Sequence, residues 1–187
     1  MRIFVSLEIP SAVRDNLLTL IKDLRTLDPK PRWVHPENLH VTLKFIGNAL
    51  PDKLEAIRSA LSIVRSEQPV ELNFRGISFF PDEKYPRLLW ANMDASPNVR
   101  SLAASIDQAL EKLGFPREER SFTPHLTLAR FRSPGIPESL RAAVRQNMTR
   151  EFGAFRTNEF HLIESKLTPS RAEYTRLASF PFAAAEA

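Results

Sequence analysis

His40-Val41-Thr42-Leu43 and His125-Leu126-Thr127-Leu128 are two copies of one pattern, His-x-Thr-x with apolar residues at each x, set 85 positions apart. A strand shows residues i and i+2 on one face and i+1 and i+3 on the other. Each copy therefore turns an imidazole and a hydroxyl to one side and an apolar pair toward a core. Two such strands facing each other would gather two imidazoles and two hydroxyls around one small anion. That set contains an acid, a base and two hydrogen-bond donors, the requirements of phosphoester chemistry without a metal.

Outward from the motifs, hydrophobic periodicity predicts alternating strands and helices. A strand is expected at about 2–9 and a helix at 11–27, with Val13, Leu17, Leu20, Ile21 and Leu24 along one stripe. Asp28-Pro29-Lys30-Pro31 breaks that helix, and Arg32-Trp33-Val34 reads as a short strand. The first motif strand runs over about 39–47. Pro51 opens a helix with Leu54, Ile57, Leu61 and Val64 inward, and 70–74 returns as a strand. After the turn-rich segment 80–87 the order repeats. A strand at 88–93 precedes a helix opened by Pro97, with Val99, Leu102, Ile106, Ala109 and Leu113 on one face, ended by Gly114 and Pro116. The second motif strand covers 125–131, a helix 136–148, and strands 160–163 and 173–178. An offset of 85 aligns Ser11 with Ser96 and His40 with His125. The expectation is one domain over 1–187 with an internal duplication of halves at about 1–80 and 87–180.

Composition narrows the chemistry. With 43% apolar and 26% charged residues the chain has ample material for a core, and no apolar run is long enough to span a membrane. Glu8 interrupts the N-terminal apolar run too early for a signal peptide. Zero cysteines exclude disulfides, thiolate catalysis and cysteine-based zinc sites, and fit a cytoplasmic location. A net charge of +4 and a pI near 9.7 favour polyanionic partners. Two strand histidines lack the third ligand that a zinc site needs, so no metal is expected. The five glycines are dispersed, so no phosphate-cradling loop is present; no cofactor is expected and ATP use is not.

A single His-x-Thr on a strand is ordinarily structural, but two copies among only four histidines single out His40 and His125. Thr42 and Thr127 share the faces of their histidines and suit donation to phosphate oxygens. His35 and His161 have no matching motif and are expected to be structural or exposed. Lys44 follows His40 and Thr42 at even spacing and is expected to be solvated. Trp33, Phe45, Trp90 and Tyr174 could stack a base, with a core role as the default. Arg130 stands five residues after His125, on the opposite face by strict alternation, and reaches the same side only if the strand ends or bulges.

The runs Glu37-Asn38-Leu39-His40-Val41-Thr42-Leu43-Lys44-Phe45-Ile46-Gly47 and Phe122-Thr123-Pro124-His125-Leu126-Thr127-Leu128-Ala129-Arg130 resemble the two signature motifs of the 2H phosphoesterases. The resemblance is to the RNA 2′,3′-cyclic phosphodiesterase, or 2′-5′ RNA ligase, family in particular. It extends through Arg2-Ile3-Phe4-Val5, Pro86-Arg87-Leu88-Leu89-Trp90, Leu162-Ile163-Glu164-Ser165 and Tyr174. It implies an α+β fold of two pseudo-symmetric lobes of antiparallel sheet, helices packed outside, and an active-site cleft between them. The implied activity is metal-independent hydrolysis of RNA 2′,3′-cyclic phosphate ends to 2′-phosphomonoesters, with 2′-5′ RNA ligation as a side activity. By the same resemblance His40 is the proton donor, His125 the proton acceptor, and Thr42, Thr127 and Arg130 bind the substrate phosphate. Sequence symmetry alone leaves open which histidine does which. The implied partner is RNA with such ends, tRNA fragments among them; no membrane is involved, and a monomer is favoured. Two alternatives stand beside this reading: a phosphodiesterase of a small cyclic nucleotide, and a non-catalytic RNA-end-binding protein.

Overall fold

The computed structural model describes residues 1–133 and 135–183. In chain order the elements are β1 (Arg2–Glu8), α1 (Ser11–Leu27), β2 (Arg32–Trp33), β3 (His40–Asn48), α2 (Leu54–Ser62), β4 (Val70–Phe80), β5 (Leu88–Ala95), α3 (Asn98–Glu111), β6 (Leu126–Arg130), α4 (Glu138–Gln146), β7 (Glu151–Thr157), β8 (Glu159–Leu167) and β9 (Ala172–Pro181). Single 3-10 turns at Pro36–Asn38 and Pro51–Lys53 lead into β3 and α2.

The strands form two antiparallel sheets, ordered β3-β1-β8-β9 and β2-β6-β5-β4-β7. Helices cover the outer faces, as expected. The apolar stripe of α1 is buried at Val13, Leu17, Leu20, Ile21 and Leu24, and the helix lies against β7. Asn16 Nδ2 donates to the Phe152 carbonyl at 2.8 Å and ties the two together. α4 packs beside α1 and against β4, while α2 and α3 pack on each other and α3 touches β3. Thus α1 follows a strand of the first sheet and packs on the second, whereas α3 follows a strand of the second and packs on the first. On α3 the buried stripe is Val99, Leu102, Ala103, Ile106 and Leu110, with Asp107 enclosed among them.

The lobes are not successive segments of sequence. The first sheet combines β1 and β3 with β8 and β9 from the end of the chain, and the second takes β2 and β4 from the first half. The orders β3-β1-β8 and β6-β5-β4 correspond strand for strand across the two halves, while the edge strands β9 and β7 both come from the second half. We propose that the halves 1–80 and 87–180 arose by duplication and exchanged strands, which this correspondence supports.

Two elements depart from the sequence expectation. β7 carries no clean alternation because it is an edge strand with one fully buried residue, Phe152, and a glycine at positive φ, Gly153. Strand β4 runs on past residue 74 through Gly76, at φ +78°. A Cβ there would lie 2.0 Å from the Met148 carbonyl oxygen, so only glycine fits where the chain after α4 crosses the strand. Among the described residues no helix is long and apolar enough to cross a membrane.

Candidate active site

The same bulge occurs in both motif strands. In the β1–β3 pair Ser6 faces Thr42, Val5 faces Lys44 and Phe4 faces Phe45, so Leu43 is an extra residue. In the β5–β6 pair Trp90 faces Thr127, Leu89 faces Ala129 and Leu88 faces Arg130, so Leu128 is extra. A bulge spends two residues against one and shifts everything after it by one position. Leu43 and Lys44 are accordingly both buried, as are Leu128 and Ala129. The next residue in each strand, Phe45 or Arg130, swings back to the side of the histidine. This places Arg130 on the cleft face, the condition that strict alternation had left open.

The motif strands belong to different sheets, yet β3 and β6 touch. At this contact the charge of His125 acts on His40, and Arg130 acts on both. Their imidazoles are held in the same way. His40 Nδ1 lies 2.6 Å from the Asn38 carbonyl, and His125 Nδ1 lies 2.8 Å from the Thr123 carbonyl. A carbonyl oxygen can only accept, so each Nδ1 carries the hydrogen and each Nε2 keeps its lone pair. The Thr42 hydroxyl, 2.9 Å from His40 Nε2, donates to it in the free protein.

Aromatic rings brace both imidazoles. His40 lies against Phe4 at 4.7 Å and Tyr174 at 5.3 Å between ring centroids. His125 stacks on Trp90 at 4.0 Å, and Trp90 in turn on Phe80 at 4.1 Å. These walls restrict the rings and keep water from them. Burial therefore lowers the His40 pKa to about 4, opposed by the Asn38 carbonyl and assisted by the positive charges of Arg130 and His125. His125 is lowered for the same first reason, burial, with Thr123 opposing and Arg130 assisting. Burial raises the Tyr174 hydroxyl, partly offset by Arg130 and Arg2.

Four residues expected in the core or in solvent belong elsewhere. Lys44 is not solvated: the bulge turns it inward, where Nζ meets Asp107 Oδ1 at 2.5 Å and donates to the Pro116 carbonyl at 2.6 Å. Asp107 also accepts from the Glu118 amide at 3.1 Å. This buried pair ties the strand of His40 to the segment that leads to His125. Trp90 and Tyr174 are not core residues but walls of the site, and Phe45 is half exposed on the same side. Trp33 behaves as expected, packed on the core with Nε1 donating to the Asp28 carbonyl at 3.0 Å. His161 is buried beside Ser179 at 3.0 Å, and His35 is half exposed beside Arg171 at 3.0 Å, both structural.

Sequence reading missed Phe4, Phe80 and Asp107. An acidic residue in phase with Ala103 and Leu110 on the apolar face of α3 was a readable sign of a buried partner. Nothing in the sequence distinguished Phe4 from its buried neighbours Ile3 and Val5, because which face β1 turns to the cleft depends on its pairing. Among the described residues no group of three or more histidine, aspartate or glutamate side chains is placed to hold a metal.

Two sheets that each turn a His-x-Thr strand to a shared cleft have the architecture of the 2H phosphoesterases. The chain belongs to the 2′-5′ RNA ligase superfamily, whose family profile matches residues 11–168. It is 32% identical to the RNA 2′,3′-cyclic phosphodiesterase of Methanothermobacter thermautotrophicus, over 96% of this chain and 97% of that one. The protein of the same description from Archaeoglobus fulgidus is 34% identical, over 96% of this chain and 99% of its own. Among solved structures, TT0787 of Thermus thermophilus superposes with a TM-score of 0.78 at 28% identity, covering 97% of this chain and 98% of that chain.

Proposed function

We propose that this protein hydrolyses RNA 2′,3′-cyclic phosphate ends to 2′-phosphomonoesters without a metal. The observation that carries the reading is the matched pair of histidines, each with Nδ1 fixed by the carbonyl two residues earlier and Nε2 left for chemistry. The names of the relatives point to the same substrate class.

In-line displacement at phosphorus needs a base on one side and an acid on the other. His125 Nε2 takes a proton from the attacking water as its oxygen bonds to phosphorus. The P–O3′ bond breaks, and O3′ takes a proton from His40 Nε2. The hydroxyls of Thr42 and Thr127 and the guanidinium of Arg130 hold the non-bridging oxygens, whose charge grows in the transition state. The order of the two histidines follows the family resemblance. His40 is neutral at pH 7 in the free protein, with a pKa near 4. The bound phosphate anion supplies the negative charge that charges it for its role. With the 5′-hydroxyl of a second RNA in place of water, the same proton transfers join the two ends, giving 2′-5′ ligation as a side activity. RNA fragments with cyclic ends, including those of tRNA, are the proposed partners of a monomeric protein, and the lack of cysteine supports a cytoplasmic setting.

The test is incubation with a short RNA ending in a 2′,3′-cyclic phosphate in the presence of EDTA, followed by identification of the terminal group. A 2′-phosphate formed by the wild type and lost in both His40→Ala and His125→Ala is the expected result. Tight binding of that RNA with no turnover would mark a non-catalytic binder and overturn the reading. Loss of turnover on adding EDTA would overturn its metal independence.

A further inference from the structure

Arg32 stands directly opposite Arg130 in the β2–β6 pair, and Trp33 opposite Ala129. Direct antiparallel partners share a face, with Cβ atoms about 5 Å apart. Ala129 is fully buried and Trp33 packs on the core, so that pair points inward. The adjacent pair, Arg32 and Arg130, therefore points the other way, to the cleft. Arg130 is close enough to act on His40, His125 and Tyr174. Arg32 continues this positive surface onto the neighbouring strand, about 4.8 Å from Arg130.

Like charges directly opposite each other weaken a sheet. Elsewhere the chain balances such arginines: Arg75 meets Glu151, Arg156 meets Glu71 and Arg176 meets Glu8. Among the described residues neither Arg32 nor Arg130 has a carboxylate partner. Two unneutralised guanidiniums held side by side at the mouth of a phosphate site call for a ligand with two successive negative charges. A 2′,3′-cyclic mononucleotide has one phosphate, and Arg130 with the two threonines accounts for it.

We propose that Arg32 binds the phosphodiester that joins the terminal nucleotide to the one before it, and so selects RNA ends over cyclic mononucleotides. This rests on the functional reading above and adds a second phosphate site to it. Arg32 is exposed, so its replacement leaves the core intact.

The test compares kcat/KM for adenosine 2′,3′-cyclic phosphate with that for a diadenosine ending in the same cyclic phosphate, using wild type, Arg32→Gln and Arg32→Lys. The wild type should favour the dinucleotide. Arg32→Gln should lower the ratio of the two values about tenfold and reduce the slope of log kcat/KM against log salt for the dinucleotide by about one. Arg32→Lys, which keeps the charge, should retain most of the preference. A wild type with no preference for the dinucleotide would overturn the proposal. So would an Arg32→Gln variant that loses equally on both substrates, or on neither. Wild-type inactivity on both would refute the functional reading itself, and this proposal with it.

Discussion

Anion binding in the cleft should tighten steeply as the pH falls. In the free protein His40 titrates near 4 because burial strips water from its charged form and Arg130 and His125 stand beside it. An anion between the two motifs faces His40 Nε2 and reverses the balance. Restoring the ordinary value of 6.5 from about 4 is worth about 3 kcal/mol. By linkage that is a limit of about 300-fold in affinity, of which about a hundredfold accrues between pH 7 and pH 4. The sign follows from proton counting: the complex holds a proton on His40 over this window and the free protein does not. Sulfate is a suitable probe, since its charge is constant across the range. Titration calorimetry at fixed ionic strength, with the wild type and His40→Gln, reads the dependence, and NMR of the imidazole Cε1–H signals reports the free titration. A flat affinity in the wild type, a slope equally steep in His40→Gln, or a free His40 midpoint at 6.5 would refute the reasoning.

Three further outcomes follow from the same geometry. Thr42→Val and Thr127→Val each remove a hydroxyl that the proposed mechanism uses to hold the phosphate and should lower kcat by about 10²-fold or more, as loss of one transition-state donor does elsewhere; steady-state kinetics with an RNA cyclic phosphate checks this. Lys44→Met leaves the Asp107 carboxylate buried with its main partner gone and should cost about 3–5 kcal/mol in urea unfolding. A double replacement of Lys44 and Asp107 by apolar residues should recover much of that loss. Finally, His40 is lowered in the folded state, so between pH 6.5 and about 4 the unfolded chain binds the extra proton. Its contribution is intact above pH 6.5 and is lost as the pH falls through that window. Wild-type stability should drop more between pH 7 and pH 4 than that of His40→Gln.

The two motifs, the strands and helices around them and the class of chemistry were legible because each rests on local rules. Period-two alternation pairs His40 with Thr42 and His125 with Thr127 whatever the strands lie against, and the stripe of α1 predicted its burial residue by residue. The bulges were not legible. Leu43 and Leu128 are ordinary strand leucines, and only their pairing with β1 and β5 makes them extra residues. That single shift decides that Lys44 turns inward to Asp107 and that Arg130 turns to the cleft.

The sequence by itself determined the candidate reacting groups, their number, and the spacing that puts an imidazole and a hydroxyl on one face of each strand. Only the tertiary structure decided which strands share a sheet, since pairing energy lies between distant segments. It alone brought β8 beside β1 and β9 beside β8, set Phe4, Tyr174 and Trp90 against the imidazoles, and placed Arg32 across from Arg130. Register between strands is settled by which faces can be buried together, and no one segment contains that information.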